Sequence, residues 1–421
     1  MIAGVLSDLR ARASHADLAR ARDETITATL GGDADAVVSV DQSDTVQIRV
    51  LAGGRLGWAG GDTSLVRAIA DGAIRSAAAG DLAEMFFPAP AALPTVITRS
   101  PSSSALTPTD LVSLAHTLAD RLRRLNLRIE TWVERSVGGI DVGNSRGVLA
   151  SYDVTVTGLG LSVAGGPAPC HLHVVGVAPP DEADLDALVD EVEQRFGPPP
   201  LDLTELPPTA PVWFKPRAVR ALLAPVLWRQ TGDRWLEARA PRSAIDPRLS
   251  IYDDPLVDGR PGSRPICDDG VPTQRLALVR AGRAVAGLLD LKTASRHRLP
   301  ATGHGFRRGY RAPGSGFSNL VLESSEPGTP DLAAVVGDGL LVSEMDLGPA
   351  PNPERGVFRV AVPWCYRIAG GRIVGRVVGA VLAGDAFRLL ERVGAIGTDA
   401  EWRGAVRVPS LVLDGVGVTL R

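Results

Sequence analysis

Six prolines fall within the fifteen residues GPPPLDLTELPPTAP, positions 197–211. Proline fixes φ and removes a backbone donor, so neither a helix interior nor a central strand can run through this stretch. The 421-residue chain is therefore read as two units, 1–205 and 206–421. Length agrees, at roughly two to three domains of about 150 residues each.

The unit before the prolines mixes helices with alternating strands. Val5, Leu9, Ala13 and Ala16 recur at helical spacing, which predicts a helix over 4–22. Runs at 24–30 and 36–42 alternate like strands, and TVQIRVLAGGRLGWAGG (45–61) reads as a hairpin turning at Gly53-Gly54. Asp62 can cap a helix over 63–79. The Pro- and Ser-rich residues 88–105 read as a loop. Thr107, Pro108 and Asp110 then supply a cap, a first-turn proline and an acid at the positive end of a helix reaching about 125. Strands are expected over 127–137, 147–165 and 169–177, and an acidic amphipathic helix over 181–196.

Beyond the prolines, one helix over 216–230 gives way to strands and glycine turns. Hairpins are expected over 276–294, turning at Ala281-Gly282, and over 358–384, turning at Gly370-Gly371. Short helices fit 329–338 and 385–393, and the ending supplies one or two more strands. The fold class is α+β. An N-terminal α/β domain, a sheet with helices, precedes a mainly antiparallel β, barrel-like C-terminal domain.

Charge excludes some functions. Lys+Arg is 45 against Asp+Glu 48, a net charge of −3, which offers no basic face for nucleic acid. Lys215 and Lys292 are the only lysines, an arginine bias read as that of a high-GC genome. Cys170, Cys267 and Cys365 are far apart and odd in number, against a disulfide framework. The first residues lack a signal-peptide core, and no apolar run is long enough to span a bilayer. A soluble, cytoplasmic protein without membrane or nucleic-acid partners is expected.

Motifs for chemistry are sparse. No glycine run has the spacing of a phosphate loop, and no GxSxG elbow occurs. His171 and His173 share one face of a strand, but spacing supplies no third metal ligand. His15 and His116 read as solvated or half-buried helix residues. The acid pairs Asp253-Asp254 and Asp268-Asp269 sit beside Pro and Gly, where turn formation and capping compete with acid–base work or cation binding. TGHGFRRGYR (302–311) gathers His304, Arg307, Arg308 and Arg311 in a flexible loop suited to an anion, a carboxylate or a peptide terminus, or simply to water.

The order of elements in the second half resembles the C-terminal domain of the TldD/PmbA family, in its PmbA (TldE) branch. The matching stretches are 250–294, ATGHGFR (301–307), GSGFSNLVLE (314–323), 353–399 and VPSLVLDGVGV (408–418). The early hairpin and VGNSRGVLASY (142–152) extend the likeness to most of the chain. The TldD branch is similar to a metallopeptidase, with an HExxxH element on the helix after the domain boundary and a cysteine ligand near the C-terminus. Here Ala224, Pro225 and Arg229 stand at the HExxxH positions, and the stretch TDAEWRGAVRVPS has no cysteine. Cys267 stands where a Phe is usual, and His304 where an Asn is usual.

The resemblance thus implies a chain with no catalytic or metal-binding residue and no cofactor of its own. It implies a heterodimer with a TldD-type homologue carrying zinc or another divalent metal. This chain would wall part of a cavity for a peptide or small amide, with natural-product intermediates among the candidate substrates. Asp268, Asp269, His304 and Arg307 are the candidates for that cavity, with the arginine loop holding a peptide carboxylate. The alternative is a stand-alone homodimeric peptide-binding scaffold that cuts nothing. A hydrolase using Asp268, Asp269 or His304 is disfavoured, because no nucleophile–base pair is legible.

Overall fold

The computed structural model describes residues 2–31, 35–201, 207–237, 245–307, 313–347 and 356–420. Six antiparallel strands form the first sheet: β1 His15–Gly31, β2 Val37–Ala52, β3 Arg55–Asp62, β4 Arg128–Asn144, β5 Leu149–Ala164 and β6 Cys170–Gly176. Their order is β3-β2-β1-β4-β5-β6. Helices α1 Ile2–Arg10, α2 Val66–Ala77, α3 Pro101–Ala105, α4 Pro108–Leu122 and α5 Glu182–Phe196 accompany it.

Parity along β1 explains the layering, because alternate residues face opposite sides of a sheet. Ala16 and Leu18 meet α1 and α2, while Ile26, Ala28 and Leu30 meet the core containing α4. All are even-numbered, so these helices cover one face. The odd-numbered Asp17 turns to the other face. So does Arg49 on β2, whose neighbours Ile48 and Val50 belong to the helix-covered core.

The expected helix over 4–22 is corrected. It ends at Arg10, and His15 begins a strand that pairs with both β2 and β4. Two-sided pairing over the thirteen residues 17–29 outweighs a helical spacing carried partly by alanines. In the stretch read as a loop, Ser100 caps the five-residue α3.

The second half holds two larger sheets. The strands in chain order are β7 Pro200–Leu201, β8 Thr209–Phe214, β9 Leu249–Asp253, β10 Leu276–Arg280, β11 Arg283–Ala284, β12 Gly305–Phe306, β13 Gly314–Ser315, β14 Leu320–Ser324 and β15 Gly339–Val342. They continue with β16 Val357–Ala361, β17 Cys365–Ala369, β18 Arg372–Val377, β19 Ala380–Asp385, β20 Val393–Ile396, β21 Glu401–Arg403, β22 Val406–Val408 and β23 Leu411–Leu420. Helices α6 Pro216–Arg229, α7 Asp233–Glu237, α8 Leu291–Arg296, α9 Leu332–Val336 and α10 Ala386–Leu390 complete the chain.

The nine-stranded sheet runs β16-β19-β23-β8-β15-β17-β18-β7, with β20 pairing β23, and curls into a half-barrel. A six-stranded sheet runs β11-β10-β9-β14-β22-β21. The first residues of the proline-rich stretch, β7, pair in parallel with β18. The turn at Ala281-Gly282 forms as expected, but its return strand lasts two residues before the chain leaves for α8. Asp290 caps that helix, which the hairpin reading over 276–294 lacked. Likewise 358–384 holds four strands. Gly370-Gly371 turns β17 into β18, while β16 and β19 pair with each other.

The half-barrel separates two cores. Val212, Phe214, Leu340, Val342 and Leu413 point into the core that contains α6 and α10. Leu341, Tyr366, Ile368 and Val412 point to the other side, where Leu185, Leu188 and Val192 of α5 meet them. Burying each such side chain contributes about 1.5–3 kcal/mol.

Candidate functional site

Helix α6 carries the three positions that the resemblance aligns with a metal-binding element. Ala224 is exposed. Pro225 is buried inside the helix, where it has no N–H to offer the carbonyl one turn back. Arg229 lies with its guanidinium 3.7 Å from the Phe387 ring centroid. Alanine and proline side chains have no donor atom for a metal, and a guanidinium stays cationic. These residues do not fit a divalent metal, and no general base stands at Pro225.

The cysteines do not replace that chemistry. All three are buried and unpaired. Burial pushes the thiols of Cys267 and Cys365 up to about 12, so both stay protonated near neutral pH. His171 and His173 both lie exposed on β6, as the spacing predicts. His171 Nδ1 is 2.8 Å from Ser162 Oγ, and the His173 ring tilts against Trp132. His15 stacks on Phe87 from β1 rather than from a helix, and His116 is exposed on α4.

A ligand-type cluster that the sequence reading missed is Asp233, Glu237 and His297, whose atoms lie within 4.8 Å of one another. Arg296 donates to Asp233 Oδ2 at 2.9 Å, and His297 Nε2 is 3.2 Å from Oδ1. The Asp233 carboxylate is thus already paired with an arginine and bonded to a histidine.

Asp268, Asp269 and Arg307 come together at the face of the first sheet that the helices leave free, while His304 pairs separately with Asp253. Arg49 reaches from β2 to Asp17 (Nε–Oδ1 3.2 Å) and to Asp269 (Nη2–Oδ1 2.8 Å). Arg307 Nη2 lies 2.7 Å from Asp17 Oδ1, and Nη1 donates to Gln47 O at 2.9 Å. Asp269 Oδ2 accepts the N–H of Leu291, the first residue of α8, at 2.8 Å. The Arg307 N–H donates to Asp268 Oδ2 at 2.8 Å. His304 is bound on both ring nitrogens, with Nε2 2.8 Å from Asp253 Oδ2 and Nδ1 3.0 Å from Thr302 Oγ1.

Burial sets the electrostatics. Asp17 and Asp269 are each 1% exposed and Arg49 4%, so each charge needs its partner. Burial works against the charged form of Asp17, but Arg307 and Arg49 outweigh it and hold the carboxyl below its usual range. Burial dominates at Asp269 and pushes its carboxyl up, with Arg49 opposing. Backbone approach is equally tight, since a Cβ on Gly305 would lie 1.9 Å from Asp269 Oδ2. With these partners the network ties β1 and β2 to the Asp268-Asp269 turn and to the start of the 302–311 loop. Arg308 and Arg311 lie outside the described residues. Sequence reasoning missed Asp17 and Arg49, whose one signal was a charge between apolar neighbours of a strand.

Comparison with known proteins agrees with this architecture. The family described as "PmbA/TldA metallopeptidase C-terminal domain" matches residues 207–420. A metalloprotease TldD homolog of Haemophilus influenzae is 27% identical over 156 residues, 37% of this chain and 32% of that protein. A metalloprotease of Synechocystis is 27% identical over 157 residues, 37% of this chain and 33% of that protein. The match thus spans about a third of the length of these curated relatives. The crystal structure of TldE from Thermococcus kodakarensis superposes with a TM-score of 0.84 at 19% identity, covering 99% of both chains. With more than half its length matched by the family and its whole fold shared with TldE, this chain belongs to the TldD/PmbA family of metallopeptidase-like proteins.

Proposed function

We propose that this chain is the non-catalytic subunit of a two-chain metallopeptidase, joined to a TldD-type homologue that carries zinc or another divalent metal on its own HExxxH helix. The chain walls part of the cavity in which a peptide or small amide is hydrolysed. One observation carries the reading: α6 offers exposed Ala224, buried Pro225 and ring-stacked Arg229 where a metal and a general base would need ligands and a carboxylate. Among the described residues the half-barrel ends at the edge strands β16 and β7, and a strand edge suits a substrate bound in extended form through main-chain hydrogen bonds. The Asp17–Arg49–Asp269–Arg307 network, in this reading, fixes the base of the 302–311 loop beside the substrate.

The test is co-expression with an HExxxH-bearing homologue from the same genome, followed by size exclusion and metal analysis of each chain alone and of the mixture. One co-eluting species with metal brought by the partner, and peptidase activity in the mixture alone, is the expected result. A homodimer that ignores the partner would replace this reading with a peptide-binding scaffold. Stoichiometric metal on this chain alone would overturn it.

A further inference from the structure

A small cleft opens between β6, the start of α6 and the β21–β22 hairpin, lined by His173, Arg217, Arg220, Arg403 and, at the rim, Glu401. Its volume is about 70 Å³, the size of a carboxylate or phosphate head group rather than of a large ligand. Val406 and Val408 form an apolar wall. Positive charge is in excess here. Arg403 is held by Glu191 and Glu401, each at 2.9 Å. Arg217 lies 3.6 Å from the same Glu191 and 4.0 Å from Glu344, which also serves Arg195 at 2.8 Å. Arg220 makes no hydrogen bond or ion pair with the described residues. Arg217 Nε is fully buried with no hydrogen-bond partner.

The helix end adds to the imbalance. Lys215 occupies the cap position of the 14-residue α6 without any side-chain cap, and no acid stands in the first turn. Cations at the positive end of a helix are unfavourable unless an anion joins them. Partial desolvation depresses the protonation of the otherwise exposed His173, with Arg217 and Arg220 adding to it. Lys215 is depressed by burial, with Arg195 and Arg403 pushing the same way.

We propose that this cleft is an oxyanion-binding site, built from Arg217, Arg220, Arg403 and the first turn of α6. Guanidinium groups bind carboxylate and phosphate oxygens through paired, charge-assisted hydrogen bonds. That the anion is a peptide carboxylate rests on the proposed function, whereas the site itself rests on the cleft alone.

The experiment titrates the full chain, without any partner, by calorimetry. The probes are inorganic phosphate, tetra-alanine with a free C-terminal carboxylate, and the same peptide as its C-terminal amide. Phosphate and the acid peptide are expected to bind and to compete, with the amide weaker by about tenfold or more. R220A, an exposed position, should weaken both anions by about tenfold and leave the fold unchanged by circular dichroism. Phosphate binding that R220A weakens, without acid-peptide binding, keeps the oxyanion site and removes the peptide as its source. No binding of either anion, or R220A binding both as the wild type does, overturns the site. None of these outcomes depends on whether a metal-bearing subunit co-purifies.

Discussion

Arg49 stands between two buried carboxylates, those of Asp17 and Asp269. Removing one member of such a set leaves uncompensated buried charge, which costs about 3–5 kcal/mol. Arg49→Met should therefore lower the unfolding free energy of the whole chain by that much, as read from urea denaturation, and adding Asp269→Asn to it should recover part of the loss. A single variant within 1 kcal/mol or so of wild type would show that water enters the network. Asp246 is a different case. Arg248 grips it with Nε at 2.9 Å and Nη2 at 2.8 Å, and the N–H of Val393 adds a third bond at 3.0 Å. Chiefly through the Arg248 hydrogen bonds, its carboxyl falls from 3.8 to about 2. A depressed carboxylate stabilises the fold fully above the unfolded value and loses that contribution as pH falls through the folded one. Asp246→Asn should thus cost about 2 kcal/mol near neutral pH. The gap should close by about pH 2, as read from denaturation midpoints at both pH values. The sequence singled out Asp268, Asp269, His304 and Arg307, because acid pairs and clustered cations are visible in one dimension. Their partners were not, since Asp17 and Asp269 are separated by most of the chain and only the fold brings them together.

Helix ends were legible because a cap is a local device. Thr107 and Asp110 form a reciprocal capping box, with Thr107 Oγ1 accepting from the Asp110 N–H and the Asp110 carboxylate from the Thr107 N–H. Asp181 and Asp184 repeat it at α5. Thr107→Ala should cost about 1 kcal/mol, while Thr107→Ser, which keeps the oxygen, should be nearly silent. Equal losses in a denaturation series would mean that the threonine methyl, not the cap, does the stabilising. Strand pairing was less legible than helix capping. The helical spacing of Val5, Leu9, Ala13 and Ala16 carried on past the true end of α1, because residues 15–22 owe their conformation to β2 and β4. The short return of β11 has the same origin. Its turn is encoded by Ala281 and Gly282, both at positive φ, but the Asp290 cap draws the chain into α8 a few residues on.

The proline-rich stretch divides the sequence more sharply than it divides the interior. Leu185, Leu188 and Val192 from before it share one apolar core with Leu341, Tyr366, Ile368 and Val412 from after it. Polar ties cross the same boundary: Tyr366 Oη donates to Arg195 O at 3.1 Å, and Arg403 pairs with Glu191 at 2.9 Å. On the opposite side, the Arg49 and Arg307 contacts bind the first sheet to the Asp268-Asp269 turn. Separating the two halves would expose the apolar face of the half-barrel and leave several buried charges without partners. Each loss is of the order of a few kcal/mol, comparable with the whole stability of a domain, about 5–15 kcal/mol. The chain should therefore unfold as one cooperative unit despite its length. Calorimetry of the full chain should give a single transition whose calorimetric and van't Hoff enthalpies agree. A fragment beginning at residue 207 should bind a hydrophobic dye and lack a sharp transition of its own. Two well-separated transitions, or a fragment as cooperative as the whole, would mean that the shared core is a contact surface rather than a common interior. The two-chain reading would then have to allow the halves of this subunit to move independently about the substrate.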